Sequence, residues 1–451
     1  MCGIIGILTP DKVNIFDDLL KSLLQLQNRG YDAAGVGYIS DGVLKHTKFG
    51  STSSVSCMTE LEQQDIRIHH IGIGHTRWAT HGRKVDVNSH PHISSDECCM
   101  IVHNGMINNY LSLRESLSKK GFLFVSETDS EVIANCIACV RAENPTMTLK
   151  WVVSKALSFL EGTWGLVIVF REDPKTMFCA RRGSPLLVSA HENLFMVVSE
   201  VSAFCQKVTS FRILEDNELC IASLNNRNIL IMDIGRSPER TLQYVEKMSL
   251  PSDFQHWTQK EINEQPISIR RALEGRLSEN GKVQLGGLDP YRDLLSKLNH
   301  VVLIGCGTSY FAGEIGLEYL KRSNIFCTVQ IFDAGEFSTK DLPRTGITGV
   351  IFLSQSGETR DVFKCIQMCK GKVCITIGIV NVVDSIIALE VDCGCYLNAG
   401  REVGVASTKS FTSQVFVLIL LAFWFKQLHK HIISDIEISH LRSIPFQIQK
   451  L

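Results

Sequence analysis

The chain opens with Met1-Cys2-Gly3-Ile4-Ile5-Gly6, in which a cysteine precedes the apolar residues of a first β-strand. Removal of the initiator methionine would leave Cys2 with a thiol and a free α-amine on one residue. An α-amine has a pKa of about 7.7–8.0, so at cytosolic pH its neutral form can serve as the base for the neighbouring thiol. The alternative is a small residue that only leads into the strand. Position alone does not separate the two interpretations, so the rest of the chain must decide.

The bulk properties describe a multidomain protein of the cytoplasm. The 451 residues suffice for two or three domains, and 46 Lys and Arg balance 47 Asp and Glu, which argues against nucleic acid as a partner. The first residues lack the pattern of a secretion signal, and sixteen cysteines then indicate reduced thiols. The longest apolar run, Val415 to Phe425, has eleven residues, whereas a membrane span needs about 20, so we expect a buried helix and no membrane contact.

No metal or organic cofactor is expected. Cys136 and Cys139 have the CxxC spacing of a zinc ligand pair, but no second pair accompanies them. They lie in an apolar helical pattern, which favours packing.

The first half of the chain combines many short strands with few helices, which predicts an α+β sandwich. Helical patterns cover Phe16–Asn28, Asn109–Lys119 and Ser130–Arg141. The clearest strand-like runs are Gly3–Leu8, Ala34–Ile39, Ile71–His75, Met100–His103, Leu166–Phe170, Met177–Ala180, Leu186–Ser189 and Leu194–Ser199. A polar stretch follows Ile231, and we place a linker there that leads into a helix near Thr258.

From about Ser296 strands alternate with helices, which predicts a parallel sheet covered by helices. A helix is predicted over Tyr310–Lys321. The predicted strands are Val301–Ile304, Cys327–Phe332, Gly349–Leu353, Val373–Ile377 and Val391–Leu397.

Three clusters of the first half fit the chemistry of an amide-bearing amino acid. Arg77 can clamp a carboxylate with two parallel hydrogen bonds, and Asp129 can hold an ammonium group or cap the helix that follows it. The side-chain amide of Asn104 and the backbone N–H of Gly105 can form an oxyanion hole. With Cys2 attacking the amide carbon, the set describes a site for glutamine. Each cluster taken singly has an ordinary structural explanation.

These stretches resemble, in sequence and in order, the class II (N-terminal-nucleophile) glutamine amidotransferase domain. The matching stretches are Cys2–Ile4, Arg29–Asp32, His75–Gly82, His90–His92, His103–Gly105 and Ser126–Asp129. The resemblance implies that Thr80 and His81 join the glutamine pocket and that Trp78 helps to direct the released ammonia. A packed aromatic side chain is the alternative for Trp78.

The second half carries hydroxyl-rich loops beside its strands. The residues after Val301–Ile304 begin Gly305-Cys306-Gly307, but Tyr310 occupies the third glycine position of a dinucleotide fingerprint. Hydroxyls and backbone N–H groups at helix N-termini can bind a phosphate instead, although each could be a simple helix cap. The hydroxyl residues are Thr308, Ser309, Ser354, Ser356, Thr359, Ser407 and Thr408.

The same loops resemble a SIS (sugar isomerase) domain, and the whole layout resembles the glutamine–fructose-6-phosphate aminotransferase family. We therefore expect an amidotransferase domain over 1–232, a linker and lead-in helix over 233–280, and a first SIS domain over 281–451. The resemblance implies fructose 6-phosphate as the second substrate and glucosamine 6-phosphate as the product. It also implies a sugar-phosphate site formed by Thr308, Ser309, Ser354, Gln355, Ser356, Thr359, Val405 and Ser407.

The family continues beyond Leu451 with a second SIS subdomain and a C-terminal tail, which supply the lysine that forms an imine with the sugar. For this chain we therefore expect glutaminase activity and reduced synthase activity. Two alternatives are an uncoupled glutaminase and a non-catalytic sugar-phosphate-binding regulator of a longer homologue. We expect either a homodimer or homotetramer, or pairing with that homologue.

Overall fold

The computed structural model describes residues 2–10, 13–27, 30–51, 56–78, 83–191, 193–225, 228–232, 235, 237–242, 254–372, 374–383 and 385–450. The chain divides into two compact units, Met1–Met248 and Ser249–Leu451. The segment 233–280, predicted as a linker and lead-in helix, straddles this division. Each unit has its own sheets and its own cores.

The first unit contains two antiparallel sheets. In the described residues the first sheet has the strand order β14-β11-β9-β10-β1-β4-β2-β3, and the second has the order β13-β12-β8-β7-β6-β5. The strands of the first sheet are β1 (Gly3–Leu8), β2 (Ala33–Ser40), β3 (Val43–Gly50), β4 (Ile71–Arg77), β9 (Leu187–His191), β10 (Leu194–Val198), β11 (Ser210–Ile213) and β14 (Arg240–Thr241). Those of the second are β5 (His92–Ile93), β6 (Cys99–Ile107), β7 (Gly162–Phe170), β8 (Asp173–Arg182), β12 (Leu219–Asn225) and β13 (Asn228–Met232).

The two sheets face each other and carry helices on their outer faces. Because side chains alternate along a strand, Ile4 and Leu8 of β1 join a core with the facing sheet, whereas Ile5 and Ile7 pack into the helical layer. Burial on both sides explains why β1 is apolar throughout. The helices are α1 (Phe16–Leu26), α2 (Cys57–Glu62), α3 (Tyr110–Lys119), α4 (Ser130–Glu143) and α5 (Leu149–Leu157). The predicted α+β sandwich is confirmed.

The second unit is built on a parallel sheet with helices and a separate core on each face. The strand order is β16-β15-β17-β18-β19, as the alternation of strands and helices predicts. The strands are β15 (His300–Gly305), β16 (Thr328–Asp333), β17 (Thr348–Ser354), β18 (Cys374–Val380) and β19 (Cys393–Tyr396). The helices are α6 (Trp257–Asn263), α7 (Gln265–Leu273), α8 (Arg292–Leu295), α9 (Thr308–Arg322), α10 (Arg360–Cys369), α11 (Ile386–Glu390), α12 (Lys409–Leu428) and α13 (Asp435–Gln449).

Helix α12 contains the apolar run Val415–Phe425 and forms the centre of one core of the second unit. The eleven-residue run is only part of this 20-residue helix, so the argument that it is too short for a membrane was wrong. Among the described residues α12 alone has the length and composition of a membrane span, yet its side chains are mostly buried inside the unit. The predicted burial is confirmed, and the helix packs against α7 and α9.

Candidate active site

The pairing of β1 with β4 places Cys2, the predicted nucleophile of the first unit. Gly3 lies opposite Thr76 in an antiparallel register, so Cys2 lies beside the end of β4. The backbone N–H of Trp78 donates to Cys2 Sγ at 3.2 Å, and Cys2 Sγ lies 3.6 Å from the Trp78 carbonyl oxygen. Two backbone groups therefore hold the sulfur.

Burial raises the pKa of the Cys2 thiol, while the Trp78 N–H and the nearby Arg77 oppose that rise. At neutral pH the thiol is therefore protonated, and it needs a base before it can attack. A metal ion could activate a thiol, but no group of three His, Cys, Asp or Glu in the described ranges is arranged to hold one.

The predicted oxyanion hole on β6 reaches Cys2 from the second sheet. Asn104 Nδ2 donates to the carbonyl oxygen of Cys2 at 2.7 Å, and Asn104 Oδ1 lies 3.0 Å from His75 Nε2. Gly105 has φ = +146°, and a Cβ at this position would collide with the carbonyl of Thr163 on β7. Only glycine fits here, so its N–H can approach a ligand closely.

Arg77 and Asp129, predicted to bind the two ends of an amino acid, are both buried in the same unit. Burial lowers the pKa of the Arg77 guanidinium, and the nearby carboxylates of Asp32 and Asp129 oppose that shift. Asp129 does not cap α4, which was its structural alternative, because its Oδ2 accepts from the backbone N–H of Ile107 at 2.8 Å. The carboxylate is thereby tied to β6, the strand that carries the predicted oxyanion-hole residues Asn104 and Gly105.

Three further residues were predicted for this pocket, and only Trp78 is among the described residues. Trp78 is 36% exposed, so its indole is available to a ligand. Thr80 and His81 lie outside the described residues.

Four buried histidines lie behind Asn104, and sequence reasoning gave them no role. The rings of His75 and His90 are 4.0 Å apart between centroids, and those of His90 and His92 are 4.6 Å apart. Burial lowers the pKa of His75 to about 3 and also lowers the pKa of His90, His92 and His103. The cluster is therefore neutral at physiological pH. Its members lie on or beside β4, β5 and β6, so no local sequence pattern reveals it.

In the second unit the hydroxyl residues lie at the carboxyl edge of the parallel sheet. Neighbouring strands β15 and β17 run in parallel register, with Ile304 opposite Phe352, so the loops after them leave the same edge. This edge is where open parallel sheets bind ligands. Thr308 begins α9 after Gly307, which has φ = +54°, and its side chain is exposed. Ser309 is buried and accepts from Gln414 Nε2 at 3.0 Å.

The loop after β17 is folded by its own hydroxyls. Ser354 Oγ lies 2.9 Å from Thr359 Oγ1 and accepts from the backbone N–H of Gly357 at 3.0 Å. Ser356 Oγ accepts from the backbone N–H of Glu358 at 3.2 Å, and the carbonyl of Gln355 accepts from Asn381. The loop thus forms a tight turn just before α10, with Ser356 and Gln355 half-buried at its surface.

The third loop is organised by a buried carboxylate that sequence reasoning missed. Glu402 accepts from the backbone N–H groups of Thr408 at 2.9 Å and Ser410 at 3.1 Å, and from Ser407 Oγ at 3.2 Å. This closes the loop and leaves Val405 69% exposed. Lys409 is buried and pairs with Glu264 at 2.6 Å, so it supports the loop from behind.

Comparisons with known proteins agree with this division of the chain. Residues 75–206 match the glutamine amidotransferase domain family, and residues 294–423 match the SIS domain family. A probable glutamine–fructose-6-phosphate aminotransferase (isomerizing) of Acanthamoeba polyphaga mimivirus is 35% identical over 94% of this chain and 69% of its own length. The glutamine–fructose-6-phosphate aminotransferase (isomerizing) of Escherichia coli K12 is 34% identical over 100% of this chain and 74% of its own length.

Among solved structures, one similar chain is the C-terminal domain of glucosamine-fructose-6-phosphate aminotransferase from Francisella tularensis. It has a TM-score of 0.40 and 26% identity, and the match covers 45% of this chain and 57% of that one.

Proposed function

This chain belongs to the glutamine–fructose-6-phosphate aminotransferase family, and from that premise we propose that it transfers the amide nitrogen of glutamine to fructose 6-phosphate. The products are glucosamine 6-phosphate and glutamate. The reaction supplies amino sugars, including the precursor of UDP-N-acetylglucosamine. One observation carries the proposal: the Cys2 thiol lies at the end of β4, and from the second sheet the Asn104 amide donates to the backbone carbonyl of the same residue.

In the first unit, the released α-amine of Cys2 takes the thiol proton, and the thiolate attacks the side-chain amide carbon of glutamine. Asn104 Nδ2 and the backbone N–H of Gly105 stabilise the tetrahedral oxyanion. The α-ammonium group of Cys2 gives the proton to the departing nitrogen, so that the C–N bond breaks, ammonia leaves and a thioester remains. Water then cleaves the thioester, which releases glutamate and restores the thiol. The raised thiol pKa fits this scheme, because a protonated thiol requires its own base.

Recognition of glutamine uses two of the buried charged side chains of the unit, Arg77 and Asp129. Arg77 binds the α-carboxylate, because a guanidinium can offer two parallel hydrogen bonds to it. Asp129 binds the α-ammonium group, and its fixed position next to β6 orients the substrate amide toward Cys2. We include Trp78, Thr80 and His81 in the same pocket on the strength of the family's motif.

In the second unit, the sugar phosphate binds at the carboxyl edge of the parallel sheet. Thr308, Ser356 and Thr359 lie where α9 and α10 begin, and helix N-termini favour a phosphate group without basic side chains. The site is completed by Ser309, Ser354, Gln355, Val405 and Ser407.

We also propose that the protein works in the cytosol as a homo-oligomer or paired with a longer homologue. All sixteen cysteines are described and none forms a disulfide, as expected of a reducing compartment.

The direct test is glutamine hydrolysis with and without fructose 6-phosphate, combined with an assay for glucosamine 6-phosphate. The wild-type chain should release glutamate, and Cys2→Ala should abolish that release. Glutamate without glucosamine 6-phosphate would identify an uncoupled glutaminase. Absence of turnover together with inhibition of a longer homologue, unchanged by Cys2→Ala, would instead identify the regulator and refute the enzyme.

A further inference from the structure

His75 lies directly behind the oxyanion hole, on the side of Asn104 away from Cys2. Its ring is fully buried on β4. His75 Nε2 lies 3.0 Å from Asn104 Oδ1 and 3.2 Å from the backbone carbonyl oxygen of His103. One ring nitrogen therefore faces two oxygen atoms.

The His103 carbonyl fixes the position of the proton on His75. A carbonyl oxygen can only accept, so His75 Nε2 must carry the hydrogen. Because this N–H can only donate, the Asn104 atom that faces it must be an acceptor. The side-chain amide of Asn104 therefore turns its oxygen toward His75. Its nitrogen then faces Cys2.

In this orientation one N–H of Asn104 Nδ2 is left for catalysis. The nitrogen has two N–H groups, and one donates to the Cys2 carbonyl at 2.7 Å. The second remains to donate to the oxyanion. If the amide were reversed, its oxygen would point toward the developing negative charge and would repel it.

The surroundings keep His75 in this state. Burial lowers its pKa to about 3, so the ring is neutral at neutral pH. The His90 ring packs against it with centroids 4.0 Å apart and ring planes tilted by 33°, which limits rotation. Ring orientation, tautomer and amide orientation are thus determined together.

We propose that His75 is a positioning residue that sets the orientation of the Asn104 amide and so prepares the oxyanion hole for glutamine hydrolysis. The inference rests on the proposed function of Cys2 and Asn104. It deepens that function by assigning a role to a residue that does not touch the substrate.

The test compares His75→Gln with His75→Met, two side chains of similar length of which only Gln can donate a hydrogen bond. We expect His75→Met to lower kcat for glutamine hydrolysis by roughly ten- to a hundredfold, as for a weakened oxyanion donor, with KM within about twofold. His75→Gln should recover most of the lost kcat. Iodoacetamide should alkylate Cys2 at the wild-type rate in both variants, because alkylation forms no oxyanion.

A double-mutant cycle separates positioning from packing. In an Asn104→Ala background, His75→Met should cause no further loss of kcat, because the group through which His75 acts is gone. Should His75→Met fail to fold, His75→Leu takes its place in both comparisons.

Any of three results would overturn the inference. The first is an equal loss of kcat in the His75→Gln and His75→Met variants, and the second is an effect confined to KM. The third is additive losses of kcat in the double-mutant cycle. Wild-type protein without Cys2-dependent hydrolysis would instead refute the proposed function, so the two failures are distinguishable.

Discussion

Glycine at position 105 combines a backbone requirement with a steric one. Its φ of +146° is rare for residues with a side chain, and an added Cβ would meet the Thr163 carbonyl on the neighbouring strand. We expect Gly105→Ala to lower kcat for glutamine hydrolysis by at least a hundredfold, because β6 must shift and carry the oxyanion donors with it. Steady-state kinetics of glutamate release measures the effect.

The matched control for this substitution is Gly121→Ala. Gly121 also has a positive φ of +93°, but a Cβ there meets nothing within 4 Å. It should lower stability slightly and leave kcat unchanged. Equal kinetic losses in the two variants would assign the Gly105 effect to backbone strain alone.

The candidate site residues could be selected from the sequence because the chemistry proposed for them is visible in short motifs. Cys2, Arg77, Asn104 and Asp129 all lie in the stretches that sequence reasoning selected, and the structure places them in one unit. His75 was within such a stretch but received no role. Its contact with Asn104 depends on two strands from different sheets, which spacing along the chain does not encode.

At the scale of secondary structure, the histidines that join β4, β5 and β6 should make the first unit sensitive to acid. Their folded-state pKa values are lowered by burial, whereas unfolded histidines have a pKa of about 6.5. Protons therefore bind the unfolded chain preferentially. Their contribution to stability is complete above about pH 7 and is lost as the pH falls through 6.5 toward the lowered values.

Each histidine should reduce the free energy of unfolding by up to about 1.4 kcal/mol per pH unit over that window. Urea unfolding at pH 7, 6 and 5, followed by tryptophan fluorescence, measures the dependence. His92→Gln removes one titrating group and should make the dependence shallower. A urea midpoint independent of pH between 7 and 5 would show that the cluster is not neutral in the folded state.

The loop before α12 is held in shape by the Glu402 carboxylate. Its carboxylate accepts from two backbone N–H groups and from the hydroxyls of Ser407 and Thr408, and hydrogen bonds to charged groups contribute about 1.5–3 kcal/mol each. Glu402→Gln replaces one accepting oxygen by a donor. We expect the Kd for fructose 6-phosphate, measured by calorimetry, to rise at least tenfold.

Glu318→Gln is the control for this prediction, since Glu318 pairs with Lys321 on an exposed helix surface at 3.7 Å. Surface pairs of this kind contribute little, so the Kd should not change. A wild-type Kd in Glu402→Gln would mean that the loop does not contact the sugar phosphate.

Most secondary-structure elements could be predicted, and the departures have physical causes. Strand β1 was predicted with its observed bounds because it is apolar throughout, as burial on both faces requires. Strand β3 was not predicted, because it is an edge strand with polar, largely exposed residues such as Lys45 and His46. Helix α12 extends beyond its apolar run because Ser410, Ser413 and Gln414 are also buried, and Gln414 pairs with Ser309.

At the scale of the whole molecule, each unit holds one of the two proposed substrate sites, and ligand binding should stabilise the unit that binds. Fructose 6-phosphate at a hundred times its Kd should stabilise the protein by about 2.7 kcal/mol, which raises an unfolding midpoint by several degrees. Scanning calorimetry measures the shift. Unphosphorylated fructose is the control and should have no effect, because the proposed contacts are made to the phosphate. A shift that both sugars produce equally would contradict the phosphate site.

The division into an antiparallel sandwich and a parallel sheet was visible in the sequence because the strand and helix patterns change near Ser296. The boundary between the compact units falls earlier, between residues 248 and 249. Helices α6 and α7 precede the parallel sheet, and Glu261 and Glu264 from this region hold the loop before α12. That boundary depends on contacts between residues that are more than a hundred positions apart in the sequence. Local sequence patterns do not reveal such contacts.

The central claim is that an amino-terminal Cys2 attacks the amide of glutamine. Intact-protein and peptide mass spectrometry after treatment with a thiol-alkylating glutamine analogue tests it in one measurement. We predict a polypeptide without Met1 that carries a single adduct on Cys2. Retention of Met1, or an adduct on any other residue with Cys2 unmodified, would contradict the account.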